Sequence, residues 1–252
     1  MKRLFFVVFL TLCVYWSCST DFLSEQKNQP RVKAAYSEKE NIINTKLHEK
    51  GLTLSDLHII IAAYKAEKEL DIFVKGKTDI KFKKLCSYTI CKTSGNLGPK
   101  NKFGDLQTPE GFYSIDRFNP SSLYHLSLGI NYPNQVDRLR SNASNLGGDI
   151  FIHGKCMTIG CLPMTDDGIN EIYLYAINAK QNGQNEIPVY IFPYRFTDSN
   201  CKIYQEAYKQ QPELIIFWQN LKTGYDMFNR NMEQLSVKAD KKGNYQINHI
   251  HN

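Results

Sequence analysis

Beyond its first twenty residues the 252-residue chain has no apolar run long enough to cross a bilayer, so any case for export or membrane attachment rests on the N-terminus. It has no internal repeat and no low-complexity tract, which excludes solenoid and collagen-like designs. Charge of one sign is also scarce: 31 Lys and Arg stand against 25 Asp and Glu, a formal net charge of +6. Losing Lys2 and Arg3 with a leader would bring this to about +4, and no basic cluster interleaved with aromatics stands out, so nucleic acid is not an expected partner. With 42% hydrophobic and 22% charged residues the chain has too much apolar mass for intrinsic disorder. Its length fits one sizeable core with a small appendage.

What is present begins with a leader. Lys2 and Arg3 precede an apolar stretch from Leu4 to Trp16, broken only by Thr11, which is too short for a spanning helix and has the form of a secretory signal. Ser17-Cys18 at its end resembles a bacterial lipoprotein box, although Tyr15 and Trp16 are bulky for one. Residues 1–18 are therefore expected to be a signal peptide or lipoprotein leader, and the mature protein to be exported to the periplasm or cell envelope, either soluble or tethered to the membrane through Cys18. Residues 19–56 read as a tether, polar and extended from Ser19 to Lys33, followed by a short helix over Asn41 to Asp56 that Gly51 stops.

Seven cysteines less Cys13 and Cys18 leave Cys86, Cys91, Cys156, Cys161 and Cys201, an odd number in a compartment where disulfides persist. At least one thiol is then free or paired with another chain. Two C-x4-C spacings admit a four-cysteine zinc site, but 65 positions separate Cys91 from Cys156 and tight-turn residues are missing from the flanks. No metal and no cofactor are expected. Two disulfides with one free thiol, or several buried thiols, remain open, and Cys156 reads equally as half of a resting Cys156–Cys161 bond or as an inert, partly exposed thiol. Cys91 is expected in the core.

Strand patterns run from Leu57 to Ala63, Glu69 to Lys75, Cys86 to Cys91, Gly111 to Phe118, Tyr124 to Ile130, Asp149 to His153 and Pro188 to Phe192. Between the third and fourth, Ser94 to Thr108 is rich in Gly, Lys and Asn without periodicity, a long loop of the kind that is usually functional. Apolar residues at helical spacing mark a helix over Ile169 to Asn182, capped by Gly183, and another over Asn200 to Tyr225 interrupted near Pro212. The polar tail from Lys238 is expected to fray.

One strand delivers His153-Gly154 into a loop that ends Thr158-Ile159-Gly160-Cys161, so an imidazole and a thiol lie eight residues apart on a segment able to fold back on itself. A thiol with a pKa near 8.5 needs a neighbouring base before it attacks an acyl carbon efficiently. Gly154 and Gly160 leave backbone N–H groups unobstructed, as an oxyanion hole requires. A core histidine and half a disulfide would satisfy the same residue types.

Ile152-His153-Gly154 followed by Thr158-Ile159-Gly160-Cys161 resembles the signature of L,D-transpeptidase catalytic domains of the YkuD type. Gly104-Asp105-Leu106-Gln107-Thr108-Pro109-Glu110-Gly111-Phe112-Tyr113 is similar to that family's upstream G-D-x-x-T-P-x-G-x-Y segment, and Ser94 to Lys100 extends the likeness to its YafK-like branch. The resemblance implies a mainly β (α+β) fold, a mixed β-sheet sandwich with peripheral helices, over residues 57–197, with residues 198–252 a helical C-terminal extension. It implies cysteine-dependent acyl transfer or hydrolysis on peptidoglycan stem peptides by a monomer, with Cys161 the nucleophile and His153 its base. Gly154 would orient His153 through its carbonyl, the Gly160 and Cys161 amides would hold the oxyanion, and Thr158 matches the family's Ser/Thr position. Pro163 departs from the family, where Arg is frequent and helps to hold substrate carboxylate; Lys100, Lys102, Lys155 and the strand residue His125 are the substitutes expected. Weaker anchoring would favour water over an amine as acceptor. A strictly hydrolytic peptidase or amidase, or a catalytically silent wall-binding lipoprotein, are the competing expectations.

Overall fold

A computed structural model describes residues 21–249. The leader, Cys13, Cys18 and the cleavage region lie outside them. Among the described residues no helix is long and apolar enough to cross a membrane.

The N-terminal stretch is not an extended tether. Helix α1 spans Phe22–Lys27 and α2 spans Pro30–His48. Asp21 caps the first through the Ser24 amide, and Pro30 opens the second at a position where its missing N–H costs nothing. Helix α2 buries Val32, Ala35, Tyr36, Ile43 and Leu47, a stripe at helical spacing that begins before the helix expected at Asn41. Polar residues between its members hide that stripe in a reading by composition.

Strands β1 (Leu57–Tyr64), β2 (Glu69–Gly76), β3 (Lys83–Thr89), β4 (Gly111–Ser122), β5 (His125–Ile130), β6 (Phe151–His153), β7 (Leu162–Pro163) and β8 (Pro188–Phe192) form one mixed sheet in the order β3-β2-β1-β8-β4-β5-β6-β7. β8 pairs parallel with β1 and antiparallel with β4, and so joins the two halves; β6 and β7 pair in parallel. The expected mixed α+β class is observed.

Alternation along β1 explains the layering. Ile59, Ile61 and Ala63 belong to one apolar cluster, Ile60, Ala62 and Tyr64 to another, so both faces of the sheet are covered. A short helix, α3 (Gln135–Arg140), follows β5, and the first face carries α2 and α4 (Asp166–Gln181); Thr165 caps α4, which is buried over most of its length. The second carries α6 (Pro212–Asn231) and an aromatic cluster that includes Phe112, Tyr190, Phe192, Trp218 and Tyr245. Helix α5 (Asp198–Ala207) precedes α6, and the break falls at Pro212. Over its described residues the tail does not fray: β9 (Leu235–Ala239) and β10 (Tyr245–His249) form a hairpin. Tyr245 is buried between Phe112 and Phe217, and Asn220 of α6 receives its amide.

A buried ion pair ties three of these parts together. Lys65, at the end of β1, donates to Glu110 (2.9 Å) and to the carbonyls of Gly98 and Thr108. Glu110 also accepts from the Gly98 amide at 2.7 Å and from the Trp218 indole at 2.8 Å. Lys65 is 7% and Glu110 0% exposed. Burial pulls the Lys65 pKa down and Glu110 opposes that pull. Removing one member of such a pair leaves a buried charge without compensation. Lys65→Met is expected to cost about 3–5 kcal/mol in urea unfolding, whereas a Lys65→Met/Glu110→Leu double variant should cost less than the two single changes summed.

Candidate active site

The segment from His153 to Asp166 crosses from β6 to α4 and is held at several points. His153 ends β6, and the pairing of Ile152 with Leu162 and of His153 with Pro163 brings Cys161 back beside that strand. The Phe151 amide donates to Cys161 Sγ at 3.4 Å, and the sulfur faces the Asp149 carbonyl at 3.6 Å.

His153 is buried, and its Nδ1 lies 2.6 Å from the Gly154 carbonyl. A carbonyl oxygen only accepts, so Nδ1 carries the proton and the Nε2 lone pair is free. The Tyr124 ring lies against the imidazole, centroids 4.7 Å apart. Burial pulls the His153 pKa below its ordinary value, with the Gly154 carbonyl opposing. Burial likewise pushes the Cys161 thiol up; Asp149 adds to this, while the Phe151 amide and the Lys100 ammonium act against it. At rest the two groups are therefore a neutral imidazole and a neutral thiol, the state from which a general base starts.

Gly154 sits where no side chain fits. A Cβ there would lie 2.5 Å from Asp166 Oδ1 and 2.8 Å from the Tyr124 carbonyl. Gly160, at φ 143°, adopts a backbone conformation that favours glycine and passes close to the Gln107 carbonyl. Thr158 holds the turn: its hydroxyl accepts from the Gly160 amide at 3.0 Å and donates to the Cys161 carbonyl at 2.8 Å. In this arrangement the Gly160 N–H is occupied by Thr158.

Free thiols remain, as the odd count requires, but among the described residues one disulfide forms rather than two. Cys91 and Cys156 form a disulfide, and Cys86, Cys161 and Cys201 are free. Cys161 is thus not masked by Cys156, Cys91 is not a free core thiol, and the bond consumes two members of the suggested zinc set. The Cys91 amide also donates to the Pro163 carbonyl at 3.0 Å, so the β3 exit is fastened to both sides of the Cys161 turn. Among the described residues no group of three or more His, Cys, Asp or Glu could hold a metal ion.

Cys161 lies where two cavities meet. One, of about 440 Å³, is bounded by Lys100, Phe103, Leu106, Asp149 and Ile159. The other, of about 360 Å³, is bounded by Lys68, Lys92, Ser94, Thr108, Tyr204 and Tyr208. The long loop from Ser94 to Thr108 contributes to both. Its turn is organised by Asp105, which accepts from the amides of Asn101, Lys102 and Gln107 and from Lys100 at 2.6 Å. Against the cost of burial, these donors hold the Asp105 carboxyl below its ordinary range.

The four expected anchoring residues are placed unevenly. Lys100 lines the 440 Å³ cavity but is 5% exposed and committed to Asp105. Lys102 faces a separate groove of about 790 Å³ between the loop and α6. Lys155 Nζ donates to the Leu123 carbonyl. His125 turns away to Asn170 on α4, 2.7 Å from its Nε2, and neither His125 nor Lys155 borders the cavities at Cys161. Sequence reasoning missed Lys68, Lys92, Tyr204 and Tyr208; the tyrosine pair at i, i+4, Tyr204 on α5 and Tyr208 at its C-cap, was the one visible signal, because it marks one side of the helix.

A family model described as the L,D-transpeptidase catalytic domain matches residues 58–191. The chain belongs to the L,D-transpeptidase catalytic domain family. It is 39% identical over 183 residues to the putative L,D-transpeptidase YafK of Escherichia coli K12, covering 72% of this chain and 70% of that protein, and the O157:H7 counterpart matches equally. Among solved structures it is similar to the helical cell shape determining protein Pgp2 from Campylobacter jejuni, with TM-score 0.43, 20% identity and coverage of 78% and 80% of the two chains. A Bdellovibrio bacteriovorus protein, Bd1075, gives TM-score 0.39 and 18% identity over 74% and 76%. Within this L,D-transpeptidase domain the disulfide ties the Cys161 turn to the β3 exit. Closing a loop of 65 residues, it should contribute about 4 kcal/mol by chain entropy. Cys91→Ala/Cys156→Ala is expected to lose roughly that amount in urea unfolding, and peptide mapping without reductant should recover Cys91 joined to Cys156 and Cys161 alkylated.

Proposed function

We propose that this L,D-transpeptidase-family protein acts on peptidoglycan stem peptides at L,D-configured bonds next to diaminopimelate, with Cys161 as nucleophile and His153 as general base. The observation that carries this reading is the pairing of β6 with β7: it returns a free thiol, at the junction of two cavities, to the strand that ends in His153, whose Nδ1 the Gly154 carbonyl holds so that Nε2 is left free. His153 takes the Cys161 proton as sulfur attacks the carbonyl carbon, and the tetrahedral oxyanion is held by the Cys161 amide and by the Gly160 amide once it leaves Thr158. His153 returns the proton to the leaving amine, and a thioester remains on Cys161. An amine entering through the second cavity gives a transfer product; water gives hydrolysis. With Pro163 in place of Arg, and Lys100 already paired, water is expected to compete well. The proposed domain spans 57–197, with residues 198–252 supplying the Tyr204 and Tyr208 wall. Export to the periplasm or cell envelope, with or without acylation of Cys18, follows from the leader and from the location of this polymer.

Incubating the protein with stem peptides and identifying products by mass spectrometry tests this. Cys161→Ala should abolish turnover, and activity retained in that variant would refute the assignment. His153→Ala should fold and lose about 10²- to 10⁴-fold in rate. Because protonated His153 cannot act as base and burial lowers its pKa, the acid limb of the rate profile should fall below the ordinary histidine value near 6.5.

A further inference from the structure

Asp166 stands at the first turn of α4, outside the motif that carries His153 and Cys161. Its Oδ1 accepts the Lys155 N–H at 2.9 Å. That N–H belongs to the same peptide group as the Gly154 carbonyl, which accepts the His153 Nδ1 proton at 2.6 Å. In a planar trans peptide the carbonyl and the N–H point in opposite directions, so a carboxylate fixing one end fixes the aim of the other.

We propose that Asp166 is a positioning residue that sets the tautomer and orientation of His153 through the Gly154–Lys155 peptide. Three features make the coupling necessary. Lys155 has φ 60°, a left-handed conformation that a residue with a side chain holds only when its surroundings impose it. Gly154 has no Cβ, and Asp166 Oδ1 occupies the space one would fill, so the carboxylate packs directly over the turn. Helix α4 is among the most buried elements, and its N-terminus favours a carboxylate, so Asp166 offers a fixed point of attachment. The side chain is solvent-exposed, which screens its charge; its effect on His153 is therefore geometric more than electrostatic.

This inference rests on the proposed pairing of His153 with Cys161, and its test is separable from it. The first readout is the His153 tautomer by ¹⁵N NMR, which needs neither substrate nor turnover. The second is the rate at which iodoacetamide alkylates Cys161 at pH 7, with His153→Ala as reference. Asp166→Asn retains an oxygen acceptor and should keep the Nδ1–H tautomer and an alkylation rate within about 2-fold of the parent. Asp166→Ala removes the acceptor, and Asp166→Glu keeps the charge but displaces it by one methylene. Both should give mixed tautomers and a rate lowered about 5- to 10-fold, and kcat on stem peptides should fall with KM unchanged. Asp166→Glu keeps an acid in the first turn and so guards against an alanine variant that fails to fold. Wild-type tautomer and rate in both Asp166→Ala and Asp166→Glu would overturn the proposal. An unchanged alkylation rate in His153→Ala would instead refute the His153–Cys161 pairing, and the tautomer measurement would still decide the role of Asp166.

Discussion

The Lys65–Glu110 pair is the constraint on which the site depends. Two charges removed from water are tolerable only when nearly every donor and acceptor finds a partner, and here the partners come from distant parts of the chain: the end of β1, the Gly98 and Thr108 carbonyls, the start of β4 and Trp218 of α6. The requirement fixes both ends of the long loop that borders the two cavities at Cys161. It also binds the C-terminal helices to the sheet, because Glu110 cannot be fully paired unless Trp218 is in place. A loop of Gly, Lys and Asn with no periodicity thereby acquires one conformation.

A second set of restraints acts on the turn from His153 to Cys161. Backbone pairing supplies the approach of β6 and β7, the disulfide fixes Cys156 to the β3 exit, Thr158 closes the turn onto Cys161, and Asp166 accepts from Lys155. Each alone restrains a few torsions. Together they hold the backbone of the His153 and Cys161 segments in register, and burial favours the neutral form of both groups. Such a site depends on geometry rather than on stored charge.

The N- and C-terminal segments contribute to the same end by covering opposite faces of one sheet. Helix α2 reaches the turn between β4 and β5, where Arg31 donates to the carbonyls of Ser122 and His125 and so steadies Tyr124 against the His153 ring. On the other face, α5 brings Tyr204 and Tyr208 to the cavity that Cys161 shares with the Ser94 loop.

Local rules made much of this legible in the sequence. The strands alternate or run apolar, α4 shows helical spacing bounded by Thr165 and Gly183, and the segments around Asp105, His153 and Cys161 carry their spacing in the chain itself, so the α+β class and the return of the Cys161 segment to the strand that ends in His153 were open to reading. Pairings between distant residues were not. Which thiol joins Cys156 depends on where β3 ends relative to β7, not on spacing. Whether Lys100 is available depends on Asp105 closing its own turn, and His125, with φ 71° at the start of β5, meets Asn170 of α4. The tail after Lys238 is polar by composition, yet it folds because Tyr245 finds an aromatic pocket built by β4 and α6. Sequence determines what neighbours along the chain can do together; only the tertiary structure decides which distant groups meet, because that depends on the packing of whole layers.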